Sequence, residues 1–410
     1  MATAIKIGKP KLVGDDFTAA LDVKTKNGEV ISATVTADIA ELLPWLNSCS
    51  DEAREFAFIS FFAYGIDRLI PRRANSIDGW SRALKVSIPV GNVKKWTASK
   101  EKVETLLSFL TGDYWIVTFS HDTVQLPAKS LDQLYTSDFS QVNLFSGGLD
   151  SLIGAIDALE KAKKPVLFIS HYDPKMPGPK KDQQDVGLHL QGKYGNLFAS
   201  IPSVRVFLSY SSTRARDTTS RSRSILFLGL ALVLASAKGI NIVVPENGTV
   251  SVNYPLSPSR RSACSTRTTH PTFVQLVQEL WQHLGILTTI SNPYRFKTKG
   301  EMVEECTNAQ FLMSILAYSN SCGKRGHRAH WDTSGTHCGI CMPCLYRRAS
   351  LNTVTDDTAY GNDVNKLKFP RKKSQDVAAL LEFLNSPICM TSKKVDRWMV
   401  VVSEGFVCLS

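Results

Sequence analysis

At 410 residues the chain exceeds one typical domain and has the length for a large buried core and two folded units. Its 43% apolar and 21% charged residues exclude extended disorder, and Met1-Ala2-Thr3-Ala4-Ile5-Lys6 lacks the apolar core of a secretory signal, so a cytoplasmic location is expected. The formal charge of +11 admits a polyanionic partner, but Lys94-Lys95, Lys180-Lys181 and Arg371-Lys372-Lys373 are scattered and read as solvated surface rather than a nucleic-acid groove, and a nucleotide substrate alone accounts for part of the excess.

Residues 1–139 read as an accessory α+β domain. Phe17 to Val35 alternates apolar and polar residues about a Lys26-Asn27-Gly28 turn, as a hairpin does. Glu52 to Ile70 has helical periodicity, Ala83 to Ile88 reads as a strand, Ser99 to Leu110 as a helix and Trp115 to Phe119 as a strand. No clustered His or Cys and no Gly-rich loop occurs there, so the unit is assigned no chemistry; docking a partner and bracing the rest of the chain fit it equally.

From residue 140 onward strands and helices alternate. Val142 to Phe145, Val166 to Ser170 and Ile240 to Pro245 read as strands, and Leu149 to Lys161 and Ser222 to Ala237 as helices. The apolar run Ile225 to Ala237, flanked by Arg223 and Lys238, is too short to cross a bilayer and reads as a buried helix, so no membrane partner is expected. The expected fold class is therefore α/β, a doubly wound parallel sheet with helices on both faces. Ligands of such sheets sit at the carboxyl ends of the strands. Three stretches fall there: Ser146-Gly147-Gly148-Leu149-Asp150-Ser151, Ser170-His171-Tyr172-Asp173 and Pro245-Glu246-Asn247-Gly248, with His171 and Asn247 the candidate ligand contacts of the last two.

The first stretch lies where an apolar strand turns into a helix. Two glycines let the backbone fold around a phosphate, and the free N–H groups and dipole of the helix start favour an anion. Ser146 and Ser151 add hydroxyl donors, while Asp150 can orient the loop or hold Mg²⁺. The Lys and longer spacing of the nucleoside-triphosphate loop are missing, which disfavours a kinase or motor ATPase. The bland alternative is a Gly-Gly turn with Asp150 and Ser151 capping the helix.

Of nine cysteines, four crowd into one segment: Cys322, then Cys338, Cys341 and Cys344 at three-residue spacings. Thiolates so spaced converge on one ion, and a closed Cys₄ site describes a structural zinc, with an iron–sulfur cluster as the competitor. His327, His330 and His337 lie in the same stretch, as surface residues or as a replacement for one cysteine. Cys49, Cys264, Cys306, Cys389 and Cys408 show no framework spacing, which fits a reducing compartment.

The hexapeptide resembles the signature loop of the N-type ATP pyrophosphatases. Together with the cysteines, and with Arg223-Ser224, Asn247, Tyr254-Pro255 and Lys297-Thr298-Lys299-Gly300-Glu301, it resembles the 7-cyano-7-deazaguanine synthases over roughly residues 141 to 350. The resemblance implies an adenine nucleotide alpha-hydrolase-like fold over 140–410, with a zinc segment at 319–349 and a C-terminal extension at 351–410. It implies ATP and Mg²⁺ on the Ser146 to Ser151 loop, catalysis by Ser146, Asp150 and Lys299, and activation of 7-carboxy-7-deazaguanine as an acyl adenylate.

The departures are specific. Asn253-Tyr254-Pro255 leads into a basic, hydroxyl-rich stretch from Arg260 to His270, either a surface loop or a binding element with His270 as a base. The first cysteine is far from the other three, and residues 1–139 have no counterpart. This combination looks more like the synthase-like proteins of bacterial antiphage operons, which implies transfer of the acyl group to an amine, the N-terminus of a partner protein from the same operon. A free nitrile made with ammonia and a non-catalytic nucleotide-binding component are the alternatives. A tRNA thiolation enzyme would want a cysteine pair outside the metal site, for which Cys264 and Cys306 are weak candidates.

Overall fold

A computed structural model describes residues 2–385 apart from 25–27, 29, 131–134, 136–137, 177, 211–218, 254–255, 257–266 and 370. In the first third lie β1 (Thr3–Ile7), β2 (Lys11–Val13), β3 (Asp16–Lys24), β4 (Val30–Asp38), β5 (Ala83–Val90) and β6 (Tyr114–His121). β3 and β4 form the expected antiparallel hairpin, in register from Asp16 opposite Asp38 to Lys24 opposite Val30. Gly28 takes a φ of +80° at its tip; Lys26 and Asn27 lie outside the described residues. β1, β5 and β6 run parallel, and the Lys100–Thr111 helix crosses between the last two.

Further along come β7 (Val142–Leu144), β8 (Val166–Ile169), β9 (His171–Tyr172), β10 (Phe198–Ser200), β11 (Val204–Tyr210), β12 (Ile242–Val243) and β13 (Ile290–Ser291). Five of these make an all-parallel sheet in the order β10-β8-β7-β12-β13. The pleat of β8 explains why both faces are covered. Val166 and Phe168 pack with residues of the Leu149–Lys161 and Pro179–Tyr194 helices, whereas Leu167 and Ile169 join the Arg223–Lys238 and Pro271–His283 helices in a separate core. The fold is thus mixed α/β with a parallel-dominated sheet. Ranked by sequence, the strand order is 3-2-1-4-5, and it reverses between β7 and β12, the crevice where open α/β sheets bind ligands.

The two halves of the chain are not separate layers. After β8 the backbone passes through Ser170 into β9, and after β10 into β11; both leave the parallel sheet for the larger one. β11 pairs antiparallel with β4, from Val206 opposite Ala37 to Tyr210 opposite Ala33. On the same side the Asp51–Leu69 helix packs against Arg223–Lys238, which is buried along most of its length. Gly229 permits this approach: a methyl group there would lie 2.4 Å from Ser60 Oγ and 3.1 Å from Ala57 Cα. A buried ionic cluster closes the seam. Asp67 and Asp113 share Arg72 and Arg82, at 2.6–3.1 Å, and Asp67 Oδ2 also accepts a bond from Ser222 Oγ at 2.9 Å, just before the Arg223 helix. Among the described residues no helix is long and apolar enough to cross a membrane.

Candidate functional site

Ser146 leaves the end of β7 and enters a turn that has no room for side chains at its next two positions. Gly147 takes a φ of +79°, and a Cβ on it would lie 3.0 Å from the Gln183 backbone nitrogen; one on Gly148 would lie 2.9 Å from Ser321 Oγ. Ser146 Oγ sits 3.2 Å from Ser151 Oγ and accepts a bond from Gly148 N at 3.4 Å, while Ser151 Oγ donates to Gly148 O at 2.9 Å. The Leu149–Lys161 helix has no side-chain cap. Asp150 is therefore not spent on capping; it turns across the sheet.

What it meets comes from two other strand ends. Asp150 Oδ2 accepts Asn247 Nδ2 at 2.6 Å and the Asn247 backbone N at 3.2 Å, and Oδ1 is ion-paired with Lys299. Asn247 follows β12 and caps the short helix Gly248–Val252 through its Oδ1. Lys299 follows β13 and opens the Lys299–Glu304 helix, whose Thr298/Glu301 capping box fixes its direction. Asp150, Asn247 and Lys299 are all less than a tenth exposed. Ser146 lies four residues from Asp150 on the same turn, so four of the sequence-derived residues gather at the reversal of strand order.

Glu246, which sequence reasoning left among its neighbours without a role, belongs to the same group. Burial, then the charge of Asp150 and a hydrogen bond to it, push the Glu246 carboxyl well above the usual carboxylate range. Burial works against ionisation of Asp150 too, but the attraction of Lys299, with hydrogen bonds from Glu246, Lys299 and Asn247, outweighs it and holds Asp150 at about 2. The two carboxyls are thus driven apart beside the lysine, Asp150 toward its ionised form and Glu246 toward its protonated form. Such pairs cluster at functional sites.

His171 is the remaining strand-end residue singled out in the sequence. Its side chain is buried among aromatic rings, with centroids 5.5 Å from Tyr64 and 5.8 Å from Phe227, and burial followed by the Arg223 charge pulls it well below the usual histidine range. Its backbone is linked to the glycine loop through Gln183, whose Nε2 donates to His171 O at 3.0 Å and to Ser146 O at 3.5 Å. His270 accepts from Thr272 N at 3.2 Å through Nδ1, as the cap of the Pro271–His283 helix. Residues 260–266, Tyr254, Pro255 and Cys264 lie outside the described residues.

The cysteine segment also docks on the loop. Cys322, Cys338, Cys341 and Cys344 bring their sulfurs within 4.8 Å of one another. Cys338 and Cys344 sulfurs are 3.8 Å apart, too far for a disulfide and matching the edge of a sulfur tetrahedron around zinc, about 3.8 Å for Zn–S bonds of about 2.3 Å. Backbone N–H groups of Ile340 and Cys341 point at Cys338 Sγ, at 3.5 and 3.2 Å, as donors to a thiolate do. These four residues can hold a metal ion, and their chemistry is compatible with zinc. His327 and His330 are exposed, and neither they nor buried His337 joins the ligand group. Cys306 is pushed up to about 12 by burial, so it is a thiol rather than a reactive thiolate.

Three bonds tie this segment to the loop. Asn320 N donates to Gly147 O at 2.9 Å, Leu149 N donates to Ser321 Oγ at 3.2 Å, and Arg325 is ion-paired with Asp182, whose backbone lies under Gly147. Arg347, on the helix that carries Cys344, holds Ser319 Oγ at 2.9 Å and Leu316 O at 3.0 Å. None of Asn320, Ser321, Asp182 or Arg325 stood out in the sequence, because their roles arise from distant segments.

Comparison of the chain with models of protein families, with curated proteins and with solved structures gives no significant match.

Proposed function

We propose that the chain is an N-type ATP pyrophosphatase of the adenine nucleotide alpha-hydrolase-like fold, which adenylates a carboxylate and transfers the acyl group to an amine. The observation that carries this reading is the convergence of Asp150, Glu246, Asn247 and Lys299 beside a side-chain-free glycine turn, at the reversal of the strand order. In this reading the β and γ phosphates of ATP rest on the Ser146 to Ser151 loop. The carboxylate oxygen attacks the α-phosphorus, pyrophosphate leaves, and an acyl adenylate forms. The amine then attacks the acyl carbon, AMP departs with the bonding pair, and the amine proton passes to solvent, leaving an amide.

Lys299 offsets charge on the transferring phosphoryl oxygens, and Asp150 orients it. Mg²⁺ accompanying the nucleotide would supply further charge neutralisation, and Asp150, with Glu246 once it gives up its proton, would hold it. Zinc on Cys322, Cys338, Cys341 and Cys344 is structural, keeping Asn320 and Ser321 against the loop.

The substrate best matching the sequence resemblance is 7-carboxy-7-deazaguanine, and the acceptor is the N-terminal amine of a partner protein encoded in the same operon. An α-amine titrates near pH 8 rather than 10.4, so it is substantially uncharged and nucleophilic where a lysine is not. Intact-mass analysis of the partner after incubation with the enzyme, ATP and the acid tests this. Acyl mass on its first residue is the expected result; free amide or nitrile with unmodified partner contradicts the transfer step.

A further inference from the structure

One strand away from the glycine loop, at the carboxyl end of β8, several polar groups are left without partners. Arg223, the first residue of its helix, is partly buried with its guanidinium 5.3 Å from the Phe227 ring centroid, and its side chain has no hydrogen bond or ion pair among the described residues. Nearby, Arg68 Nε and His171 Nδ1 are buried with no hydrogen-bond partner among the described residues, and the His171 side chain is almost wholly enclosed. The rings form a continuous wall: Phe227 meets His171, His171 meets Tyr64, and Arg68 lies 5.1 Å from the Tyr64 centroid. Asp173, the carboxylate in the group among the described residues, is engaged by Arg68 at 2.8 Å and by Tyr64 OH at 3.2 Å. Among the described residues, the Arg223 guanidinium has no carboxylate of its own.

A guanidinium withdrawn from water without a partner destabilises the free protein, and orphaned buried polar groups call for an occupant. Arg223 is also pulled below its usual range, first by burial and with a contribution from the like charge of Arg68. Replacing the seam with apolar packing would be more stable. A ligand that completes the two arginines would offset that cost.

We infer that Arg223 and Arg68, backed by Tyr64, His171 and Phe227, form an oxyanion-binding subsite beside the glycine loop, half of it built by the N-terminal Asp51–Leu69 helix. The oxyanion belongs either to a phosphate of the nucleotide or to the carboxylate of the acid substrate, both of which a guanidinium recognises through paired N–H bonds. Residues 1–139 then complete the ligand site rather than merely bracing it.

The choice of ligands rests on the function proposed above, and the test separates the two. The wild-type chain and Arg223→Met are melted without ligand, then titrated with Mg²⁺–α,β-methylene-ATP and with 7-carboxy-7-deazaguanine. The variant should melt no lower than wild type, and its affinity for one ligand should fall about tenfold or more. Loss for the nucleotide assigns the oxyanion to a phosphate; loss for the acid assigns it to the carboxylate. Both affinities unchanged, or a melting temperature several degrees lower, overturns the inference. If neither ligand binds wild type, the proposed function fails, and sulfate decides the subsite: stabilisation of wild type beyond that of the variant supports it, and equal shifts refute it.

Discussion

Burial and the neighbouring Asp150 charge favour the protonated form of Glu246 over a second carboxylate. In the unfolded chain a glutamate ionises at about pH 4.3, so above that pH unfolding releases a proton that the fold retains, and stability falls as pH rises toward the folded value. Glu246→Gln should therefore raise the melting temperature at pH 7.5 by about 1–3 °C and leave it nearly unchanged at pH 4. An equal shift at both pH values would rule out the buried proton. Ser146→Ala deletes a hydroxyl that bonds within the turn, and pyrophosphate release should drop on the order of a hundredfold with the melting curve preserved. Near-normal release would take the loop out of the mechanism. Among single residues the sequence was informative where chemistry is encoded by short spacing, as in the glycine turn and the cysteine triplet. It was uninformative about Glu246 and the Asp182–Arg325 pair, since the latter joins residues 143 positions apart. The surroundings of His171 were illegible for a related reason: its strand-end position follows from the sequence, but the Tyr64 ring beside it comes from an earlier helix.

The glycine turn and the cysteine segment act as one mechanical element. The turn has no side chains of its own at Gly147 and Gly148, so its shape depends on Asn320, Ser321 and the backbone beside Asp182. Those contacts in turn depend on the sulfur cluster, which anchors Cys322 two residues from Asn320. Metal removal, or Cys341→Ser, should therefore lower the melting temperature and also speed amide exchange at Leu149 and Asn320, with loss of nucleotide binding following from the second effect. Faster exchange confined to residues after 322, with Leu149 unaltered, would show that the metal braces only its own segment. Copurifying iron with visible charge-transfer absorption would replace zinc as the occupant.

Across the molecule, the β4–β11 ladder, the Asp51–Leu69 helix and the Asp67–Arg82 cluster make residues 1–139 continuous with the parallel sheet and its helices. Deleting them would strip an edge from β11, expose the apolar Arg223–Lys238 helix and strand Ser222 without its carboxylate. The truncated chain should show no cooperative melting transition; a soluble fragment that melts cooperatively and binds nucleotide would contradict this. The parallel sheet could be anticipated from strand and helix alternation, but its strand order could not, because β12 and β13 are two residues long and carry no periodicity. The pairing of β11 with β4 joins segments about 170 residues apart, and Val204, Val206 and Leu208 alternate correctly for a strand without naming a partner. The proposed function requires the crevice at the reversal of this order to split ATP at the α-phosphate when a carboxylate is present. Chromatography of nucleotides and a pyrophosphate assay, with ATP, Mg²⁺ and 7-carboxy-7-deazaguanine, measure that directly. AMP and pyrophosphate should appear in equal amounts, dependent on the acid and abolished by Asp150→Ala; ADP and phosphate, or no turnover of ATP by a metal-loaded and folded chain, would contradict the proposal.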